Sequence, residues 1–203
     1  MRLPNILTIS RVILVPIFLW MIFQNTMMTR WLAFLIFIVA ALTDYYDGWA
    51  ARKFHMTSNF GKIFDPVADK ILVSSALIVF VIFDIIPLWM VVIILSREFL
   101  VTSFRLVALS YHQVLAAQRS GKQKTVSQMV AILVTLFVMS LVTTIEQDAE
   151  WNQWLQGGSF FAAGVSSLIN HGPYVLMLIA TLISITSAVD FILKNKQLLR
   201  KIS

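Results

Sequence analysis

The chain has 203 residues, of which 59% are hydrophobic and only 13% are charged. Soluble domains are usually about a quarter charged, so this composition excludes an ordinary soluble globular protein and indicates a protein of the lipid bilayer. The net charge is +6, and there are no cysteines, which excludes disulfides and metal sites with thiolate ligands.

Hydrophobic runs of about 20 residues predict six membrane-spanning helices. They cover residues 3–23, 31–51, 63–83, 88–110, 125–144 and 172–193. The first run is long, carries Arg11 and lacks a small-x-small cleavage site, so we interpret it as a retained span rather than a signal peptide. No stretch resembles a linker between domains, so we predict that residues 1–203 form a single all-α transmembrane domain.

Basic residues are distributed unevenly between the predicted loops. They follow spans two, four and six, whereas the alternate loops are acidic apart from Arg30. The positive-inside rule therefore predicts that both termini and the loop between spans two and three face the cytoplasm. The expected location is a cytoplasmic membrane of the bacterial type. Residues 145–171 are then an external loop. Its apolar stretch, 160–169, is too short to span and is expected to lie along the interface or to cap the bundle.

Spans two and three carry four aspartates, although a carboxylate near hydrocarbon is costly and rarely lacks a function. Asp44 and Asp47 lie three residues apart near the end of span two, and Asp65 and Asp69 lie four apart near the start of span three. Each pair shares a helical face. The short connection predicts antiparallel neighbours, with the deepest aspartates about 10 Å from the loop. Pro66 is expected in the first turn of span three.

These four carboxylates would repel one another unless cations bound between them. Oxygen-only ligands favour Mg²⁺ or Mn²⁺. Two such ions, bridged by carboxylates, are a known arrangement for displacement at phosphorus. We therefore expect two metal ions bound by Asp44, Asp47, Asp65 and Asp69.

Small and basic residues are interleaved with the aspartates. Gly48, Ala51 and Gly61 leave room for a bulky substrate, and Arg52 can pair with a phosphate. A single aspartate pair could simply be solvated or salt-bridged, and the glycines could be helix-packing residues. Two aspartate pairs with glycine, alanine and arginine at fixed spacing favour the functional interpretation.

Span four and the start of span five add further charge. Span four contains Arg97, Glu98 and Arg105, and charges inside a span almost always face the bundle interior or a water-filled cavity. Residues 119–125 read Arg-Ser-Gly-Lys-Gln-Lys-Thr, and lysines at a helix N-terminus predict a phosphate site. Positive-inside topology alone could also explain the loop lysines. These charges nevertheless favour an anionic ligand, with its phosphate bound by Arg105, Arg119, Lys122 and Lys124.

The string from Asp44 to Asp69, Asp-x2-Asp-Gly-x2-Ala-Arg-x8-Gly-x3-Asp-x3-Asp, resembles the signature of the CDP-alcohol phosphotransferase family at every fixed position. The resemblance implies a homodimeric six-helix membrane enzyme with a cytoplasm-facing active-site cleft. Such an enzyme transfers a substituted phosphate from a cytidine diphosphate donor to an alcohol and releases cytidine monophosphate (CMP). The first three aspartates would bind metal, and Asp69 would contact the second metal and act as general base. Gly48, Arg52 and Gly61 would line the donor site.

Three further strings resemble the branch of this family that uses CDP-diacylglycerol and sn-glycerol 3-phosphate. They are Pro4-Asn5-x-Leu7-Thr8-x2-Arg11, Arg97-Glu98-Phe99 and Gly121-Lys122-x-Lys124-Thr125-x2-Gln128. In this branch sn-glycerol 3-phosphate is the acceptor, so the resemblance implies that the four basic residues named above bind its phosphate. The expected partners are these two substrates, membrane lipids and a second copy of the chain, with no nucleic acid. The residues expected to border the donor are Asn5, Thr8, Asp44, Gly48, Ala51, Arg52 and Gly61, although Asn5 and Arg11 could simply anchor the first helix.

Two kinds of alternative stay open. Within the family, the acceptor could be inositol phosphate, phosphatidylglycerol or serine. From another class, the carboxylates could bind the ion transported by a small cation channel or transporter. Against transport, no internal repeat relates the two halves of the chain, and the aspartates cluster near one membrane face. Asp190, late in span six, is expected to form a salt bridge with an arginine of the bundle.

Overall fold

A computed structural model describes the backbone of residues 3–54, 59–110, 119–156 and 160–195, and the side chains of 12–43, 70–104, 123–154 and 161–195. The described residues form seven helices, and every element is helical, as predicted. The helices are α1 (Leu3–Phe23), α2 (Met27–Phe54), α3 (Asn59–Ile82), α4 (Leu88–Ser110), α5 (Arg119–Gln147), α6 (Ala149–Gln156) and α7 (Phe160–Lys194).

The turn between α1 and α2 is encoded by three polar residues. Asn25 has a φ of 55°, a left-handed conformation that asparagine adopts more readily than most residues and that ends α1. Thr26 then caps α2, because its Oγ1 accepts a hydrogen bond from the Thr29 backbone N–H at 3.3 Å. Thr29 Oγ1 in turn accepts one from the Thr26 N–H, also at 3.3 Å, so the two threonines form a reciprocal cap.

The chain divides into two compact units. Unit 1 comprises Met1–Phe80 and Leu133–Ile169, and unit 2 comprises Val81–Ile132 and Asn170–Ser203. Helices α3, α5 and α7 each contribute residues to both units.

The core of unit 1 includes the contact between α1 and α2. Phe18 and Phe37 are fully buried, with ring centroids 5.7 Å apart. Ala33 and Ala40 flank Phe37 on the buried face of α2, and these small side chains allow neighbouring helices to approach closely.

Apolar surface on the described helices supports association with a membrane. By length and composition, Gln123–Gln147 and Phe161–Lys194 could each cross a bilayer, and shorter apolar helical stretches cover Val12–Phe23, Met27–Thr43 and Lys70–Ile82. Large apolar side chains such as Leu35 and Phe99 are exposed on the protein surface. Lipid can cover such side chains, whereas an ordinary soluble monomer exposes few contiguous apolar patches.

The helix bounds agree with two predicted spans and differ from others. Helices α1 and α4 have the predicted bounds, 3–23 and 88–110. Helix α2 continues to Phe54 and α3 begins at Asn59, so both extend beyond the predicted apolar runs. Pro66 is therefore seven residues into α3, not in its first turn. There it leaves the Lys62 carbonyl without the usual helical donor.

The prediction of a loop over residues 145–171 is wrong. Helix α5 extends to Gln147, α6 occupies Ala149–Gln156, and α7 begins at Phe160 and continues to Lys194 through Pro173. Asp148 caps α6, since its Oδ1 accepts from the Glu150 N–H at 3.1 Å. The stretch 160–169 is thus the first part of a 35-residue helix rather than a separate segment.

Candidate functional site

The four predicted metal-binding aspartates all lie on helical backbone in unit 1. Asp44 and Asp47 belong to the C-terminal half of α2, and Asp65 and Asp69 to the N-terminal half of α3. Since both helices are continuous through these positions, each pair lies on one helical face, at separations of three and four residues. The side chains of residues 44–69 lie outside those that the structure describes.

The helix ends set how far the aspartates lie from the connection between α2 and α3. Asp44 is ten residues before Phe54, and Asp69 is ten residues after Asn59. At about 1.5 Å per residue, each of these two backbones is about 15 Å along its helix from the connection, compared with the predicted 10 Å. The connection itself, residues 55–58, is outside the described part of the chain.

The predicted donor-binding residues also lie in unit 1, on three helices. Asn5 and Thr8 are in α1, and Gly61 is in α3, four residues before Asp65. The predicted residues in α2 share the helical face on which Asp44 lies, because positions i, i+3, i+4 and i+7 of a helix lie on one face. These α2 positions are Asp44, Asp47, Gly48 and Ala51, with Arg52 next in the chain.

The predicted acceptor-binding residues all belong to unit 2. Arg105 is in α4, and α5 begins at Arg119, so that Lys122 and Lys124 lie in its first two turns. This helix start agrees with the prediction that these basic residues lie at a helix N-terminus. Of the four side chains, only that of Lys124 is described.

Lys124 forms an ion pair with Glu98 of α4. Their side chains are 4% and 14% exposed, so both charges are largely removed from water. Each charge has the other as its counter-ion, which offsets part of the cost of removing both from water. The pair therefore joins α4 to α5 through a buried electrostatic contact. The sequence had indicated both charges but not their pairing.

Other polar side chains of unit 2 are hydrogen-bonded between helices or buried. Arg97 Nη2 donates to Ser187 Oγ of α7 at 2.8 Å. Gln128 of α5 and Ser184 of α7 are buried, at 4% and 0% exposure. Charged and polar side chains of α4 thus bond to both α5 and α7, as expected for charges directed into a bundle. Asp190 of α7 pairs with Lys194, one turn later on the same helix, with 2.7 Å between Oδ1 and Nζ.

The chemistry of the aspartate donors fits a divalent cation. All four offer carboxylate oxygens, the donors that Mg²⁺ and Mn²⁺ prefer, and their helical spacing would let each pair act together. Among the side chains that the structure describes, no three histidine, cysteine or acidic groups lie together as a metal site.

Comparison with known proteins gives consistent results. Residues 1–186 match the model of the family described as CDP-alcohol phosphatidyltransferase. A CDP-diacylglycerol–glycerol-3-phosphate 3-phosphatidyltransferase of Bacillus subtilis (strain 168) is 42% identical over 147 residues, covering 66% of this chain and 76% of the relative. A protein of the same name from Rickettsia typhi (strain ATCC VR-144 / Wilmington) is 37% identical over 135 residues, with coverage of 66% and 76%. A probable phosphatidylglycerophosphate synthase of Mycobacterium tuberculosis (strain ATCC 25618 / H37Rv) is 42% identical over 143 residues, with coverage of 69% and 67%.

Proposed function

Because this chain belongs to the CDP-alcohol phosphatidyltransferase family, we propose that it is a CDP-diacylglycerol–glycerol-3-phosphate 3-phosphatidyltransferase. It transfers the phosphatidyl group of CDP-diacylglycerol to sn-glycerol 3-phosphate, giving phosphatidylglycerol phosphate and CMP. The observation that carries the proposal is the complete Asp44–Asp69 string on the continuous helices α2 and α3. Relatives that carry this activity in their names, at up to 42% identity, support the choice of acceptor.

Two divalent cations, Mg²⁺ or Mn²⁺, would be held by Asp44, Asp47, Asp65 and Asp69. When bound, such ions neutralise the diphosphate and stabilise charge that develops on the attacking and leaving oxygens. The residues of this chain then bind and orient the donor. Arg52 pairs with a phosphate, and Gly48, Ala51 and Gly61 leave room along the two helices for the cytidine diphosphate group, with Asn5 and Thr8 of α1 also bordering it.

The proton of the acceptor hydroxyl is transferred to Asp69. The freed glycerol oxygen forms a bond to the phosphorus that carries diacylglycerol, and the bond from that phosphorus to the CMP oxygen breaks. Arg105, Arg119, Lys122 and Lys124 bind the phosphate of sn-glycerol 3-phosphate. A phosphate monoester needs cationic partners, whereas serine or another neutral alcohol does not. Most of the acceleration comes from positioning the reactants and neutralising their charge.

The setting of the reaction is a bilayer. We propose six membrane spans with both termini and the active-site cleft on the cytoplasmic side, in a homodimer. Support comes from the basic residues that follow spans two, four and six and from the apolar helical stretches in α1, α2, α3, α5 and α7. In this arrangement the acyl chains of the donor and of the product stay in lipid while the polar groups react at the membrane surface.

CMP release by the purified protein tests the proposal. With CDP-diacylglycerol and Mg²⁺ or Mn²⁺, CMP should form only when sn-glycerol 3-phosphate is present, and removal of metal with EDTA should stop it. The matched arms replace the acceptor by inositol phosphate, phosphatidylglycerol or serine. CMP formation with one of these in preference to sn-glycerol 3-phosphate would contradict the acceptor assignment. Its absence in every arm would favour the transporter alternative.

A further inference from the structure

Gln128 carries a buried amide whose use the proposed reaction leaves unexplained. The side chain is 4% exposed, and its donor nitrogen, Nε2, has no hydrogen-bond partner among the described residues. An amide donor removed from water without an acceptor destabilises the folded protein, so most buried polar groups are paired. A group that departs from this pattern is a candidate for binding a ligand.

The position of Gln128 on α5 indicates which ligand. It lies one turn after Lys124, so the two residues share a helical face, and both are buried. Lys124 supplies a cation and Gln128 a neutral N–H donor. Phosphate oxygens accept hydrogen bonds from both kinds of donor. In the ion pair between α4 and α5, the side chain of Glu98 is 14% exposed and that of Lys124 is 4% exposed.

We propose that Gln128 donates a hydrogen bond through Nε2 to the phosphate of the acceptor, beside Lys124, and so helps to select a phosphate monoester. This inference rests on the proposed function and adds a residue to its acceptor site. The diphosphate of the donor is the other possible source of phosphate oxygens. We assign Gln128 to the acceptor because the predicted acceptor residues belong to unit 2, as it does, and the predicted donor residues to unit 1.

Replacement of Gln128 by methionine separates a binding role from a packing role. Methionine has nearly the same length and no amide, so Gln128→Met removes a buried donor that has no described protein partner. We expect the melting temperature Tm in detergent to stay the same or rise. The KM for sn-glycerol 3-phosphate should rise by about tenfold or more, because a hydrogen bond to a charged group is lost, while the KM for CDP-diacylglycerol stays unchanged.

Ser184 of α7 provides a matched control. Its hydroxyl is also buried in unit 2 and has no hydrogen-bond partner among the described residues. Ser184→Ala should leave Tm and both KM values close to those of the wild type. A rise in acceptor KM confined to the Gln128 variant would then be specific to that amide.

Each other outcome overturns the inference. A lower Tm or loss of folded Gln128→Met protein would show that the amide serves packing. A rise in the donor KM would assign it to the diphosphate, and unchanged KM values would show that it contacts neither substrate. The wild-type assay comes first. If the wild type does not use sn-glycerol 3-phosphate, the proposed function fails and this inference fails with it, whereas an unchanged variant of an active wild type rejects the inference alone.

Discussion

Asp69 has two proposed roles, as a ligand of metal and as the base that accepts the hydroxyl proton. Asp69→Asn keeps the size of the side chain but removes the basic oxygen. Turnover should fall by about 10²–10⁴-fold, the usual contribution of a general base, while CDP-diacylglycerol still binds. CMP release under saturating substrates and a separate donor-binding measurement check the two parts of this prediction.

Asp84 supplies a control for that substitution. It lies outside the signature and has a φ of 54°, a conformation that asparagine also tolerates, so Asp84→Asn should fold and turn over normally. If Asp69→Asn retained more than about a tenth of wild-type activity, the assignment of Asp69 as the base would be wrong.

At the scale of single residues, the spacing of residues along the sequence predicts some parts of the candidate site better than others. The aspartates stand out because separations of three and four residues place each pair on one face of a helix, and the backbone of α2 and α3 is helical at all four positions. The Lys124–Glu98 pair joins residues 26 positions apart on different helices. No local periodicity encodes such a pair, so only the packing of α4 against α5 reveals it. The same holds for the burial of Gln128.

At the scale of the helices, the hydropathy of the sequence predicts the apolar part of a helix better than the residues at which that helix begins and ends. Residues that follow the apolar run of α2, including Arg52 and Lys53, continue the helix, because a helix can extend into water where polar side chains are solvated. Helix α7 also extends beyond its predicted span. That span begins at residue 172, whereas the helix begins at Phe160 and continues through Gly172 and Pro173. Neighbouring groups can satisfy the carbonyl that a proline frees in a membrane helix.

The start of α2 is bonded to the end of α5 within unit 1. Trp31 Nε1 donates to Thr144 Oγ1 at 3.0 Å, and the Trp31 ring lies edge-on to Phe137, with centroids 5.6 Å apart. Ser140 Oγ donates to the Arg30 carbonyl at 3.2 Å. These contacts join residues more than 100 positions apart, so they fix how the two helices pack.

Trp31→Phe should weaken this junction. The substitution keeps an aromatic ring against Phe137 but removes the indole N–H, so we expect a loss of about 1 kcal/mol of stability, the usual net value of one hydrogen bond. Thermal unfolding in detergent measures the effect. The matched control is Trp20→Phe, because Trp20 is 62% exposed. Equal Tm values for the two variants would mean that the Trp31 hydrogen bond contributes nothing to stability.

For the whole molecule, the predicted topology depends on where the basic residues lie along the chain. Arg30 is the exception, because it is a basic residue in a loop that is predicted to be external. The structure explains why this basic residue is compatible with an external position. Arg30 is 7% exposed, and its Nη1 donates to the Met139 carbonyl at 3.4 Å. A guanidinium used inside the fold is not part of a solvated, positively charged loop, and it is the charge of such loops that orients membrane helices.

The absence of cysteine from the chain allows the six-span topology to be tested directly. Single cysteines introduced by Ser58→Cys, between α2 and α3, and Ser203→Cys, at the C-terminus, should lie in the cytoplasm. Gln24→Cys, just after α1, and Glu150→Cys, in α6, should lie outside, because the distribution of basic residues predicts that these segments lie across the membrane from the aspartate connection. A membrane-impermeant maleimide should therefore label the second pair in intact bacterial cells and the first pair only after permeabilisation. If Ser58→Cys were labelled in intact cells as strongly as Glu150→Cys, the connection between α2 and α3 would lie outside the cell. The membrane would then separate the aspartates from the sn-glycerol 3-phosphate and CMP of the cytoplasm, and the proposed orientation of the enzyme would fail even if its chemistry were correct.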